Sequence, residues 1–484
     1  MRLHIVFRYI GIVFLINAGF LFIAAMISIL YSDQALRPLL YSSIVTALFG
    51  IFPLIFVPPA KTIRNNEGLA IVVGSWLLSC LVGSLPYVLW GGEFSFTNAW
   101  FESVSGYTTT GSSILTNVEA LPKGLLFWRS TTHFLGGMGI ILFVLSVLPS
   151  MGIAGLVLYR SEMSALAQEN FGQNVRTTLR ILLTIYVGLT LLETLALMMA
   201  GMNLFDALTH SFGTVATGGF STKNESIAYY HSPLIELIII IFMILSGIHF
   251  GVLYSSIFRG SKAIFKSTIV KYYLWAMIFG IMLTTIQLHG TFYHRWIDSL
   301  RYAAFQIISI GTSTGFANAD SSVWPALAKL LLIFFALQCA CAGSTSGGIK
   351  TDRMVMLGKA IIKQLKLLQH PHAALAVRID NRVIHEDVLA MAILFICVYL
   401  LVIFIATMLI ILLGVDWLSA FSGVVAAMGN VGPGLGTVGS MGNFNHIPLF
   451  GKWILTGVML LGRLEIYGLI IFFLPEIWKR IAKP

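Results

Sequence analysis

The sequence predicts an all-α polytopic membrane protein. Four covalently linked repeats of span, pore half-helix and span surround one pore, and an N-terminal two-helix hairpin precedes them. Three observations predict it. Charged residues are 10% and apolar residues 57% of 484, too few charges to coat a soluble body of that size. Ten stretches are long and apolar enough to cross a bilayer as helix, at about 20 residues per crossing. Finally, four glycine-ended tetrads stand between such stretches, at Thr108-Thr109-Thr110-Gly111, Val215-Ala216-Thr217-Gly218, Thr312-Ser313-Thr314-Gly315 and Gly429-Asn430-Val431-Gly432.

The ten stretches run roughly over 7–31, 35–57, 68–90, 125–149, 177–201, 232–258, 268–290, 323–349 (continuing to about 365), 386–415 and 450–477. The first is too long for a signal-peptide core and has no clear small-residue cleavage site, so it is read as a retained span. An even number of spans puts both termini on one side. Arg2, Arg8, Lys61, Arg64, Arg160, Arg176, Arg180, Arg259, Lys262, Lys266, Lys271, Lys350, Arg353, Lys359, Lys363, Lys366, Arg378, Arg382, Lys479, Arg480 and Lys483 then share one face, 21 of the 30 basic residues. The bias toward positive charge on the inner side makes that face cytoplasmic, and the tetrads open outward. With the basic residues so placed, the net charge of +10 does not suggest nucleic acid.

The tetrads share a register. Their last glycines are 107, 97 and 117 residues apart, and an alanine stands 12, 11, 12 and 12 residues earlier, at Ala99, Ala207, Ala303 and Ala420. Before each tetrad a semi-apolar segment of about ten residues, near 97–107, 205–214, 298–310 and 417–428, is too short to cross and is expected to re-enter. Non-helical backbone at membrane depth persists only where it lines a wet cavity. The carbonyls after each half-helix then face that cavity, and the negative end of the helix dipole favours a cation there. One such tetrad is an ordinary small-residue packing site. Four in register fit a ring of carbonyls around a dehydrated monovalent cation. The corresponding units are 1–67 for the hairpin and 68–160, 161–262, 263–383 and 384–484 for the repeats.

Two further features lie inside apolar spans. Gly343-Ser344-Thr345-Ser346-Gly347-Gly348 is a run that breaks a helix. Gly348-Ile349-Lys350-Thr351 superficially resembles the end of a phosphate loop, but the required glycine spacing is absent. Arg463 sits within the last span, where an unpaired guanidinium costs at least about 2.5 kcal/mol; Glu465 or a neighbouring carbonyl could pair with it. Glu102 and His210, in the first two half-helices, read as supports behind the tetrads. Cys80, Cys339, Cys341 and Cys397 read as buried free thiols. The eleven histidines show no metal-binding spacing, and no nucleophile–base constellation supports an enzyme. The basic stretch 350–382 reads as a solvated cytoplasmic connector, and its length and charge also suit docking an acidic partner face.

These residues, together with Gly218-Gly219-Phe220-Ser221-Thr222, Thr314-Gly315-Phe316, Asn430-Val431-Gly432-Pro433-Gly434-Leu435-Gly436, Cys341-Ala342-Gly343-Ser344-Thr345-Ser346-Gly347-Gly348 and Gly462-Arg463-Leu464-Glu465, carry a family resemblance. The chain resembles the TrkH/KtrB/HKT superfamily of potassium transport proteins over nearly its whole length. The leading hairpin favours the TrkH branch. The resemblance implies a K+ pathway within one subunit, with the sixteen tetrad residues as filter. It also implies a gate formed by residues 343–348 with Arg463 facing the pore beside it. Cys339 and Ala340 depart from the glycines usual there, which implies a stiffer start to the loop. Further implications are a homodimer, a cytosolic nucleotide-binding regulatory ring of the TrkA type, and residence in a bacterial cytoplasmic membrane. K+ would be the transported ion, with no cofactor in this chain. The alternatives are an H+- or Na+-coupled K+ or Na+ symporter on the same fold, and a structural or receptor membrane protein with degenerate loops.

Overall fold

The computed structural model describes residues 1–60, 63–146, 175–258, 260, 262–380 and 382–478. Lys61, Arg160, Arg259, Lys479, Arg480 and Lys483, and the expected repeat boundary at 160/161, lie outside them.

Two antiparallel helices, α1 (Leu3–Leu30) and α2 (Leu36–Phe56), open the chain. They cross at Gly11 and Gly50. A Cβ on either glycine would lie 2.6 or 2.8 Å from the other's carbonyl oxygen, the close approach that small residues permit between helices in lipid. The first repeat is α3 (Asn65–Gly83) with its continuation α4 (Leu85–Trp90), half-helix α5 (Phe96–Tyr107) and α6 (Lys123–Ser146). The second is α7 (Val175–Met199), half-helix α8 (Leu204–Val215), and the pair α9 (Pro233–Ser246) and α10 (Phe250–Phe258), followed by a short α11 (Ala263–Lys266). The third is α12 (Thr268–Leu288), half-helix α13 (Trp296–Gly311), α14 (Ala326–Leu337) and α15 (Thr351–Gln369). A hairpin of β1 (Arg378–Ile379) and β2 (Arg382–Val383) leads to the fourth: α16 (Glu386–Leu412), half-helix α17 (Trp417–Met428), α18 (Leu449–Arg463), α19 (Tyr467–Phe473) and a final turn, α20 (Pro475–Trp478).

Side-chain oxygens start three of the half-helices. Ser95, Asn203 and Asp416 accept from the backbone N–H of Asn98, Asp206 and Ser419, satisfying donors a helix start leaves free. The Ser419 N–H holds the Asp416 carboxyl below its ordinary range. The third half-helix lacks such a cap and is longer, 16 residues against 12 for the others. Each half-helix packs on the spans of its own repeat and on the second span of the repeat before it. Thus α8 meets α6, α13 meets α9, α17 meets α14, and α5 meets α18, which closes the circle.

Three of the ten expected spans are not single helices. The stretch 232–258 turns by 105° between α9 and α10, and 450–477 turns by 112° between α18 and α19. The stretch 323–349 stops at Leu337, and an irregular loop runs to Lys350 before α15. Apolar composition reads such segments as continuous, because hydropathy does not register where a backbone turns at Gly247 or at Glu465 and Ile466. The latter two carry positive φ, 55° and 31°. Cys80, Cys339 and Cys341 are buried, but Cys397 faces outward from α16.

Candidate functional site

The four half-helices end on one shared geometry. The first loop residue continues the helix, at Thr108, Ala216, Thr312 and Gly429. The next, at Thr109, Thr217, Ser313 and Asn430, is left-handed, with φ of 50°, 55°, 57° and 51°. The N–H of the third bonds back five residues: Thr110 to Ser105 O, Gly218 to Gly213 O, Thr314 to Ser309 O and Val431 to Ala426 O, at 2.7–2.9 Å. The fourth is a glycine of positive φ: Gly111 (84°), Gly219 (76°), Gly315 (82°) and Gly432 (102°).

The second loop is therefore Ala216-Thr217-Gly218-Gly219, one residue later than the sequence reading placed it. Val215 is the last residue of α8, and Gly218 holds the third position. With that register the alanine spacing is 12 in all four repeats, Ala207 to Gly219 included. The uneven 11 was the available signal. Two adjacent glycines disguised it.

The loops touch in cyclic order. A Cβ built on Gly111 would lie 2.1 Å from Gly218 O, on Gly219 2.1 Å from Thr314 O, on Gly315 2.0 Å from Val431 O, and on Gly432 2.6 Å from Thr110 O. Each fourth-position glycine thus abuts the third-position carbonyl of the next repeat, and the fourth repeat meets the first. Four non-glycine residues held left-handed at equivalent positions cost about 1–3 kcal/mol each, strain that collects at functional sites. On one side of the ring, all four closing glycines border a cavity of about 130 Å³ with Ser112, Ser221, Asn224 and Asn443.

Below the ring lies the loop of residues 338–350. Its ends meet: Ile349 N–H donates to Leu337 O, Cys339 N–H to Ile349 O and Thr351 N–H to Ala340 O. The residues between reach up to three repeats. Thr345 Oγ1 donates to Val215 O at 2.9 Å, Gly347 N–H to Ser313 Oγ at 3.2 Å and Ser313 Oγ to Ser346 Oγ at 3.1 Å. A Cβ on Gly347 would stand 2.6 Å from Gly429 O. Arg463, 2% exposed, donates from Nη1 to Thr345 O at 2.7 Å and from Nη2 to Gly136 O at 3.3 Å. Lys350 Nζ donates to Ser346 O.

Glu465 acts on the charge of Arg463, but its close ion pair lies elsewhere. It bonds Arg353 Nη2 at 2.7 Å, whose guanidinium lies 3.9 Å above the Phe395 ring. Lys350 and Arg353 are buried, so the start of 350–382 is not the solvated connector its charge suggested.

Polar supports stand behind the ring. Glu102 accepts from Arg129 at 2.6 Å, Ser113 Oγ at 2.9 Å and Ile114 N–H at 3.1 Å. Arg129 also donates to Ser221 O of the next repeat. His210 bonds Asp206 O and Ser221 Oγ. Both act as supports, as read from the sequence. Glu236, Arg301 and Asn318 tie the second repeat to the third, and His133 joins the first two. Sequence reading missed these, although Thr131-Thr132-His133 is a conspicuous polar run in an apolar span. Replacing Arg129 with Met strands the Glu102 carboxylate. The expected loss is about 3–5 kcal/mol, read as a lowered midpoint of thermal unfolding in detergent; an unchanged midpoint contradicts the pair's structural role.

The family model for a cation transport protein, TrkH, matches residues 42–285 and 283–480. The chain belongs to the TrkH family. It is similar to the Trk system potassium uptake protein TrkH of Escherichia coli K12, 36% identical over 99% of this chain and all of that one. The TrkH of Halomonas elongata is 35% identical over 99% of this chain and all of that protein. In three dimensions it resembles the crystal structure of the potassium transporter TrkH from Vibrio parahaemolyticus, with a TM-score of 0.89 and 31% identity, covering 99% of this chain and all of that one. TrkH-family members are multi-pass membrane transport proteins and not enzymes, and this chain is a potassium uptake transporter of that family.

Proposed function

We propose that the four loops 108–111, 216–219, 312–315 and 429–432 are the selectivity filter through which K+ enters the cell, channel-like, and that residues 343–348 with Arg463 are its gate. The closed cyclic contact of fourth-position glycines with third-position carbonyls carries this reading. Carbonyl oxygens in a ring replace the hydration shell of a monovalent cation, and the carbonyl ends of four half-helices add negative potential. Val215 keeps a part in it through its carbonyl, which the loop occupies. K+ is cargo, and the chain needs no cofactor.

The wider assembly rests on the family resemblance: a homodimer, a cytosolic nucleotide-binding ring, the bacterial cytoplasmic membrane, and both termini inside. Units 1–67, 68–160, 161–262, 263–383 and 384–484 serve as its parts. The test is flux of labelled K+ into proteoliposomes holding the purified protein, with Na+ as competitor. Saturable K+ flux that resists excess Na+ is expected; equal flux of both ions overturns the filter.

One observation favours the coupled symporter. Glu193 is a buried acid in α7 whose carboxyl lies beside the Thr214 hydroxyl. The nearby Thr214 hydroxyl is committed to His210 O. An exchangeable proton carrier needs such an acid. Acidification of the vesicle lumen in step with K+ entry, abolished by Glu193→Gln, supports coupling, and K+ entry without it excludes coupling to protons.

A further inference from the structure

We propose that His133 is a specificity-determining positioning residue, supplying across the repeat boundary the buttress that Gly218 lacks. This rests on the filter reading. At the third loop position Thr110, Thr314 and Val431 carry side chains. The Thr110 and Thr314 hydroxyls each share a 2.8 Å hydrogen bond with the first-position hydroxyl, Thr108 or Thr312, and Thr110 also accepts from Asn430 Nδ2 at 3.0 Å. In the second repeat these positions are Gly218 and Ala216, and neither side chain can hydrogen-bond.

The imidazole of His133 occupies the vacant space. A Cβ on Gly218 would meet its Cδ2 and Cγ at 2.6 Å. The ring is buried in α6, in the repeat before. Phe220 N–H can only donate, so Nε2 accepts from it at 3.1 Å and Nδ1–H donates to Gly106 O at 2.7 Å. His133 is thereby neutral and fixed in tautomer. Gly106 O also receives the N–H of Thr109, the left-handed residue of the first loop. Phe220 directly follows the closing Gly219 and stacks on the imidazole at 4.1 Å between centroids. One turn earlier on α6, Arg129 lies 3.5 Å over the Phe220 ring and donates to Ser221 O. One ring nitrogen thus holds the first repeat's turn and the other the second's. The Gly218 carbonyl between them abuts Gly111.

The prediction concerns ion discrimination and not assembly alone. Replacing His133 with Ala in the full-length protein is expected to lower the K+/Na+ permeability ratio in proteoliposomes about tenfold, the factor one buried hydrogen bond represents. Gly218→Thr alone, which drives a side chain into the imidazole, is expected to do the same. Gly218 has no positive φ, so the backbone accepts threonine. The double variant His133→Ala, Gly218→Thr puts a third-position side chain into the space the imidazole leaves, as Val431 does beside Gly429 in the fourth repeat, and is expected to return to within about threefold of the original ratio, the opposite of what independent, additive losses give. A double variant no better than the worse single variant, or an unchanged ratio in His133→Ala, overturns the proposal. If His133→Ala fails to assemble, His133→Asn, which keeps a donor for Gly106 O and leaves Phe220 N–H bare, is read on the same ratio with the same outcomes. Gly315→Ala runs in parallel. If it leaves the ratio intact the filter reading falls; if it lowers the ratio while the His133 variants do not, only this inference falls.

Discussion

Deleting residues 343–348 is expected to raise K+ flux through the purified protein and to free it from cytosolic control. The backbone on either side is bridged by Ile349 N–H to Leu337 O and Thr351 N–H to Ala340 O, which keeps the ends together when the loop is removed. The deletion removes the contacts from Thr345, Ser346 and Gly347 to Val215 O, Ser313 and the Gly429–Asn430 turn, together with the carbonyls that accept from Arg463, Lys350 and Phe250 N–H. In the proposed reading Val215 O, Ser313 and that turn line the mouth of the ring that faces the loop, and the loop closes it. Arg463 adds charge to this closure. A cation about 5 Å from a guanidinium at an effective dielectric near 20 meets roughly 3 kcal/mol of repulsion, which is about a hundredfold in rate. Arg463→Ala removes both that charge and the bond to Thr345 O, so flux is expected to rise. Arg463→Lys keeps the charge and most of the restraint. Glu465, although bound to Arg353, still offsets part of that charge. A well-assembled deletion that conducts less than the intact protein makes the loop a support and puts the gate elsewhere.

Alanine at Gly219 or Gly315 is expected to abolish most K+/Na+ discrimination. Each substitution puts a Cβ on a residue with φ near 80°, which costs about 1–2 kcal/mol in the backbone alone. The added carbon also stands 2.0–2.1 Å from a ring carbonyl of the next repeat, so that oxygen must move. Gly111 behaves alike, and Gly432, with 2.6 Å of room, is expected to be the mildest. The readout is the K+ concentration for half-maximal flux, with and without Na+. Unchanged values in all four single variants sink the filter assignment.

The membrane class, the four half-helices and the place of each loop were legible in the sequence because they depend on composition and spacing, which a linear chain displays. The frame of the second loop was not. Gly218 and Gly219 look alike locally, and only the alanine spacing of 11 against 12 pointed to the frame that the positive φ of Gly219 shows. The breaks at 247–249 and 464–466 were hidden because the stretches around His249 and Glu465 are apolar enough on average to read as continuous spans. Partner choice among charges was likewise beyond sequence. Glu465 is two residues from Arg463, but across the break it points to Arg353 of the preceding repeat.

The central claim is that one carbonyl ring, closed by four repeats of a single chain, selects K+. A single-channel recording from the deletion lacking 343–348, in a planar bilayer with K+ on one side and Na+ on the other, tests it most directly. The account predicts a reversal potential displaced toward that of a K+-selective pore, and its collapse toward zero when Gly315→Ala is added. A reversal potential at zero in the deletion itself, or one that Gly315→Ala leaves in place, contradicts it.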